Sequence, residues 1–281
     1  MTHLKQALSV LFLSMVLTAC GTAEEDAAEI FQQAQKASES LESVAMEMDI
    51  SQEITTEGET EGMFGGNMTM DITSSGEMQM DPLVLHQTVN MESSMEGMED
   101  MPGQEMEQYV TEDAMYMTNP MNGEWMKAPE SMQEQLGQMM SAEQQTPGSQ
   151  LDMFKEYVSD FSLEESESSY TMSISATGEE MEALMQKIME ETSADMMGEE
   201  MLEQTTINSA DITFTLAKET YYPETVDMKM DMTMEQQGQT MTVVQDSKID
   251  YSKHNEISGL NVPEDVINNA ESMEMPEIPE Q

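Results

Sequence analysis

The chain has 281 residues, with 9 Lys and no Arg against 57 Asp and Glu, for a formal net charge of -48. Methionine supplies 36 residues, about 13% of the chain and about a third of its 38% apolar content. Nucleic-acid binding and cationic membrane-surface binding are excluded because both need clustered Lys or Arg, and a disulfide scaffold is excluded by a single cysteine.

The first twenty residues read as a targeting segment. Lys5 precedes an apolar run, Ala7 to Leu17, too short to span a bilayer. Leu17-Thr18-Ala19-Cys20 then matches the bacterial lipobox. The match implies cleavage after residue 19 and a diacylglycerol thioether on Cys20, which becomes the lipid anchor on the outer face of the cell membrane. Ordinary secretion with Cys20 as a stray thiol is the alternative. Loss of Lys5 leaves 8 Lys against 57 acids, a charge of -49. Such a surface is soluble and self-repelling, and it points to a salty or alkaline habitat.

Residues 20–23 form a short tether. Thr22-Ala23-Glu24-Glu25 fits a capping box, and Ala27, Ile30, Phe31, Ala34, Ala37 and Leu41 form one stripe, predicting a helix over about 24–42. From Val44 the period becomes two. Val44, Met46, Met48 and Ile50 alternate with small or acidic residues. Met68, Met70 and Ile72 follow, then Met78 and Met80, then Leu83, Leu85, Gln87, Val89 and Met91. This pattern predicts antiparallel strands with one face buried and one wet. Met115, Met117 and Trp125 predict a hairpin around Asn119–Gly123. Residues 130–145 and 150–158 read as short helices, Tyr170 to Ala176 as a strand, and Glu179 to Glu191 as a helix. Ile212 to Leu216, Val226 to Met234, and Met241 to Tyr251 predict three more strands. A short helix follows Pro263, and 271–281 reads as an acidic, Pro-rich tail. The whole is one α+β domain over 24–270, in which a curved antiparallel sheet packs against the N-terminal helix and inserted helices. It contains roughly eight to eleven strands.

This order of elements resembles the LolA and LppX/LprG-like lipoproteins, and more closely a group of uncharacterised lipoproteins of Gram-positive, Bacillales-type bacteria with that half-barrel fold. The resemblance rests on the lipobox, on Leu41-Glu42-Ser43 ending the first helix, and on three further stretches. These are Ala114-Met115-Tyr116-Met117 with Gly123-Glu124-Trp125-Met126-Lys127, Thr213 to Glu224, and Asn261-Val262-Pro263-Glu264-Asp265-Val266. It implies a sheet whose concave side holds acyl chains. Met stands here where those proteins have Leu, Val and Phe, and Arg is absent.

Methionine first reads as a flexible core filler, and in the resemblance as the lining of an adaptable lipid cavity. Expected lining residues are Met46, Met48, Met68, Met70, Leu85, Ile212, Met228, Met230, Met232 and Met234. The rival is soft-metal binding, since thioethers favour Cu(I). Its candidates are Met91, Met95, Met98, Met101 and Met106, which have loop-like spacing but no His beside them. No hydrolase, Walker, zincin or EF-hand motif occurs, so no catalytic residues and no cofactor are expected. The chain is expected to be a non-enzymatic, monomeric lipoprotein. Its partners would be the bilayer, through Cys20, and a lipid-like ligand. An acidic envelope protein with no small ligand is the alternative of a different class. Palmitate labelling in the native host tests the anchor: the wild-type chain should take the label and Cys20→Ala should not.

Overall fold

The computed structural model describes residues 23–57, 67–95, 101–129, 151, 154, 161–177, 205–236 and 239–273. Cys20 and the predicted helices at 130–145 and 179–191 lie outside the described residues. So do most of the helix expected at 150–158 and all but the first residues of the 271–281 tail.

Helix α1 (Ala23–Glu39) buries Ala27, Phe31 and Ala34, the three- and four-residue stripe of the sequence. It stops three residues earlier than predicted. The Ser40 amide and hydroxyl both donate to the Ala37 carbonyl, at 3.0 and 2.7 Å, which closes the last turn. Leu41 then turns inward off the helix.

Among the described residues twelve strands follow in one open sheet. They are β1 (Ser43–Glu57), β2 (Asn67–Met80), β3 (Leu83–Met95), β4 (Met101–Thr111), β5 (Met115–Thr118) and β6 (Trp125–Lys127). After these come β7 (Ser162–Glu165), β8 (Ser169–Thr177), β9 (Thr205–Ala217), β10 (Pro223–Gln236) and β11 (Gln239–Ser252). A six-residue helix α2 (Glu264–Asn269) and β12 (Glu271–Ser272) end the order. Across the sheet the strands run β12-β6-β5-β4-β3-β2-β1-β11-β10-β9-β8-β7. All pairs are antiparallel except β12 on β6, and the two edges do not meet. This is the α+β architecture that the sequence predicts, with three strands, β4, β7 and β12, that it did not reveal; β12 takes the first two residues of the expected 271–281 tail, which pair with β6. The runs Met68–Ile72 and Met78–Met80, read separately in sequence, are one continuous strand.

The sheet consists of two meanders, β1 to β6 and β7 to β11, joined by one seam. Along it β1 pairs with β11 from Ala45↔Ser252 to Glu57↔Thr240. Asn255 clasps one end of the seam. Its amide donates to the Ser43 carbonyl at 2.8 Å, its side-chain oxygen accepts from the Glu42 amide at 2.6 Å, and its side-chain nitrogen donates to the Tyr222 hydroxyl at 3.0 Å. The backbone there is left-handed (φ 61), a conformation that Asn tolerates better than most residues.

Helix α1 packs on the β7–β9 side of the sheet. Its stripe meets Phe214, Ile212, Leu216, Met172 and Ile174, with Phe154 and Phe161 edge-on to one another. A second cluster of Val44, Met78, Leu85 and Tyr251 sits on the same face across the seam. A third, Tyr109, Tyr116 and Val266, lies on the opposite face, where the segment carrying α2 crosses β4 and β5 and Trp125 packs against it.

Two substitutions test this packing. The Ser38 hydroxyl is buried and has no hydrogen-bond partner among the described residues, so Ser38→Ala should stabilise the chain by about 1 kcal/mol in denaturant unfolding. A Cβ at Gly76 would lie 2.8 Å from the His86 carbonyl oxygen of the neighbouring strand. Gly76→Ala should therefore destabilise by about 1–3 kcal/mol, and a neutral result would contradict the strand spacing.

Candidate functional site

The registers assign every strand residue to a face. Val44 lies opposite Met78, which lies opposite Leu85, which lies opposite Val110. On the other side of β1, Met48 lies opposite Ile249, Ile249 opposite Val226, and Val226 opposite Phe214. The parity holds over seven strands, from β4 to β9, and survives the β9–β10 register shift between Asp231 and Met232. All ten residues expected to line a cavity share this face: Met46 and Met48 on β1, Met68 and Met70 on β2, Leu85 on β3, Ile212 on β9, and Met228, Met230, Met232 and Met234 on β10. Ile212 and Leu85 are buried in the two clusters, and the eight methionines are half-buried.

Among the described residues paired from β4 to β9, this face carries no Asp, Glu, Lys or His. Its polar members are neutral. The Gln108 side-chain nitrogen donates to the Gln87 carbonyl oxygen at 2.7 Å, and the Gln87 nitrogen donates to the Ser74 hydroxyl at 2.5 Å. Across the seam Gln52 lies opposite Gln245, their side chains 3.5 Å apart. The apolar phase of the sequence already contains Gln87 and Gln245. The link to Gln108 depends on β4, whose Pro102, Gly103 and Glu residues hide the alternation.

The acidic residues go to the other face. One cross-strand row reads Thr73–Asp49–Lys248–Asp227, and the next reads Asp71–Ser51–Asp246–Lys229. A shallow groove of about 380 Å³ runs between the two rows. Lys229 pairs with Asp246 at 2.8 Å, Lys248 with Asp250 at 2.7 Å, and Lys253 with Glu77 at 2.7 Å. The side-chain hydrogen bond to the partner carboxylate holds each of these amines above the usual lysine range. The stability that these pairs add is complete below that range and is lost as pH rises through the raised values. The pairs are exposed, so each is worth little. Elsewhere acids oppose acids directly, as Glu47 opposes Asp250.

The histidines are tied into structure. His86 Nε2 lies 2.8 Å from Glu107 Oε1, and its ring stacks on Tyr109 at 4.3 Å. Burial, then the Glu107 charge, pushes the Tyr109 hydroxyl above its ordinary value. His254 is half-buried. It stacks on Tyr222 at 5.0 Å, with Nε2 2.8 Å from the Pro223 carbonyl oxygen.

The copper candidates divide. Met91 and Met95 lie within β3, Met101 and Met106 within β4, and Met98 lies outside the described residues. The spacing read as a loop is therefore mostly strand. Met106 faces Val89, Met91 faces Gln104, and Met95 faces Met68. Among the described residues no group of three or more His, Cys, Asp or Glu is placed to hold a metal ion, and no helix is long and apolar enough to cross a membrane.

The fold and this face define an α+β protein built on one open antiparallel sheet with an uncharged, methionine-rich side. The chain belongs to DUF6612, a family of unknown function, whose model matches residues 26–271. No curated protein matches it. Among solved structures it is similar to LprF from Mycobacterium bovis, at 13% identity and a TM-score of 0.34, covering 86% of this chain and 98% of that one. It is also similar to a DUF1329 family protein from Desulfovibrio piger, at 9% identity and a TM-score of 0.26, covering 86% and 96%. A third is a β-barrel-like DUF1849 protein from Brucella abortus, at 11% identity and a TM-score of 0.23, covering 74% and 98%.

The charge distribution has a direct consequence in solution. Opposed acids on one face and a large negative excess should make the folded state salt-stabilised. The melting temperature should rise by several degrees between 0.05 and 1 M sodium chloride, measured by circular dichroism; a fall would contradict it.

Proposed function

We propose that the protein is a membrane-anchored, extracytoplasmic lipoprotein that binds or carries an apolar or amphiphilic ligand on the methionine face of the sheet, without catalysis. The carrying observation is the partition of charge: no carboxylate, amine or imidazole stands among the described paired residues of that face over seven strands. A core alone does not require this, because strands edging a core tolerate charge wherever water reaches. Here Met46 and Met48 of β1, Met68 and Met70 of β2, and Met230, Met232 and Met234 of β10 stay half-buried outside the cluster that α1 covers, and the described paired residues of the face are still free of charge. Each methylene laid against such a surface is worth about 0.8 kcal/mol, so ten would contribute about 8 kcal/mol before ordering costs. Unbranched thioether side chains adapt to different chain shapes at low strain. Anchoring through Cys20 would hold the face beside the bilayer that supplies the ligand.

Native mass spectrometry and organic extraction of the purified chain carrying Cys20→Ala test this reading. Acyl lipid should co-purify, and Met48→Asp or Met230→Asp, each placing a carboxylate on the face, should lower its occupancy at least tenfold. A lipid-free chain that takes up no lipid from vesicles would leave the acidic envelope protein without a small ligand as the better account.

A further inference from the structure

We infer that Met70 and Met230 form a reversible sulfur-oxidation site: a peroxide converts their thioethers to sulfoxides, the sheet stays folded, and the methionine face becomes polar. The site stands whatever the face binds.

Methionine is not spread evenly over this face. Among the described residues, Met172 is the one methionine buried in the cluster under α1, and Met78 the one buried in the cluster across the seam. Ala, Val, Leu, Ile, Phe and Tyr make up the rest of the buried residues in both. Met68, Met70, Met230, Met232 and Met234 are half-buried instead, in the half of the sheet away from Asn255. A methionine that served only to fill the core would sit inside the clusters. These thioethers stand where a small solute reaches them, and the clusters hold together without them. A peroxide is uncharged, so the field of 57 acids does not exclude it. With Cys20 the only cysteine, thioethers are the oxidisable sulfur of the sheet.

The oxidised side chains also have partners waiting. One cross-strand row reads Met230–Gln245–Gln52–Met70, with neighbouring Cβ atoms about 5 Å apart. The Gln52 side-chain nitrogen donates to the Gln245 carbonyl oxygen at 3.5 Å. Among the described residues, the second N–H of Gln52 and both of Gln245 have no acceptor. A sulfoxide oxygen is a strong acceptor, and each new one would stand one strand from an unused carboxamide donor. Left without a donor, such a group on a half-buried face would weaken the fold. Here oxidation exchanges an apolar contact for a hydrogen bond.

In the forward step the sulfur lone pair attacks one peroxide oxygen. The S–O bond forms as the O–O bond breaks, and water leaves with both hydrogens. Sulfur gives up two electrons, which the peroxide takes. The return step needs a dithiol-dependent sulfoxide reductase, which releases the oxygen as water and ends as a disulfide.

The test uses the full chain carrying Cys20→Ala, treated with hydrogen peroxide and mapped by peptide mass spectrometry. Met70 and Met230 should oxidise at least tenfold faster than buried Met78 and Met172. The oxidised chain should keep its circular dichroism and melt within a few degrees of the untreated one, while its binding of the apolar dye bis-ANS falls at least fivefold. Methionine sulfoxide reductases with dithiothreitol should restore the thioethers and the dye binding. Gln52→Leu with Gln245→Leu should melt within a few degrees of wild type before oxidation and at least ten degrees below oxidised wild type after it. Equal oxidation rates at the two classes, unfolding of the wild-type chain on oxidation, unchanged dye binding, or an oxidised glutamine variant as stable as oxidised wild type would each overturn the proposal. None of these measurements uses a lipid, so a failure of lipid binding is told apart from a failure of this site.

Discussion

Everything in this sheet depends on parity. A strand presents alternate residues to opposite faces, so the ladders from β4 to β9 must agree in register if carboxylates and methionines are to stay apart. One slip of one residue on β10 would exchange Met228, Met230 and Met232 for Asp227, Lys229 and Asp231. Burying those charges costs far more than the lost ladder contacts, so the composition itself enforces the register. The two oddities of the sequence, excess acid and excess methionine, are the two faces of a single device. Methionine's weak shape demands suit it, since many half-buried positions accept a flexible chain more easily than a branched one.

Most of this order is readable from the chain. The alternation at Val44–Ile50, Leu83–Met91 and Val226–Met234 specifies both the strands and their faces, and the helical stripe at Ala27–Ala34 specifies which side of α1 docks. What stays hidden has physical reasons. Strand β4 carries Pro102, Gly103, Gln104 and Glu105 in its first half, and it takes its conformation from pairing with β3 instead of from its own pattern. Strand β7 has four residues, too few for a period to appear. The polar chain Ser74–Gln87–Gln108 is a three-strand property, so no local pattern could disclose it. Likewise the acidic groove arises from four strands distant in sequence.

The edges follow a different rule from the centre. One ends in β7, short and acidic at Glu164 and Glu165, and the other is closed by two residues of β12 lying parallel on β6. Short, charged edges discourage further pairing, which an open sheet of this width otherwise invites. The crossing of α2 over Tyr109 and Tyr116 fastens the last described residues onto the same margin.

The β1–β11 seam joins residues about 180 to 210 positions apart in the chain. Contacts so remote must wait until nearly the whole polypeptide is present, which places this protein among slow folders. During synthesis β1 would emerge first and remain one-sided, a long edge with six of its fifteen residues apolar. Its Glu47, Asp49 and Glu53 then act as guards for a strand whose partner has yet to arrive. The same acids that flank the finished sheet would thus keep the unfinished one from pairing with its neighbours.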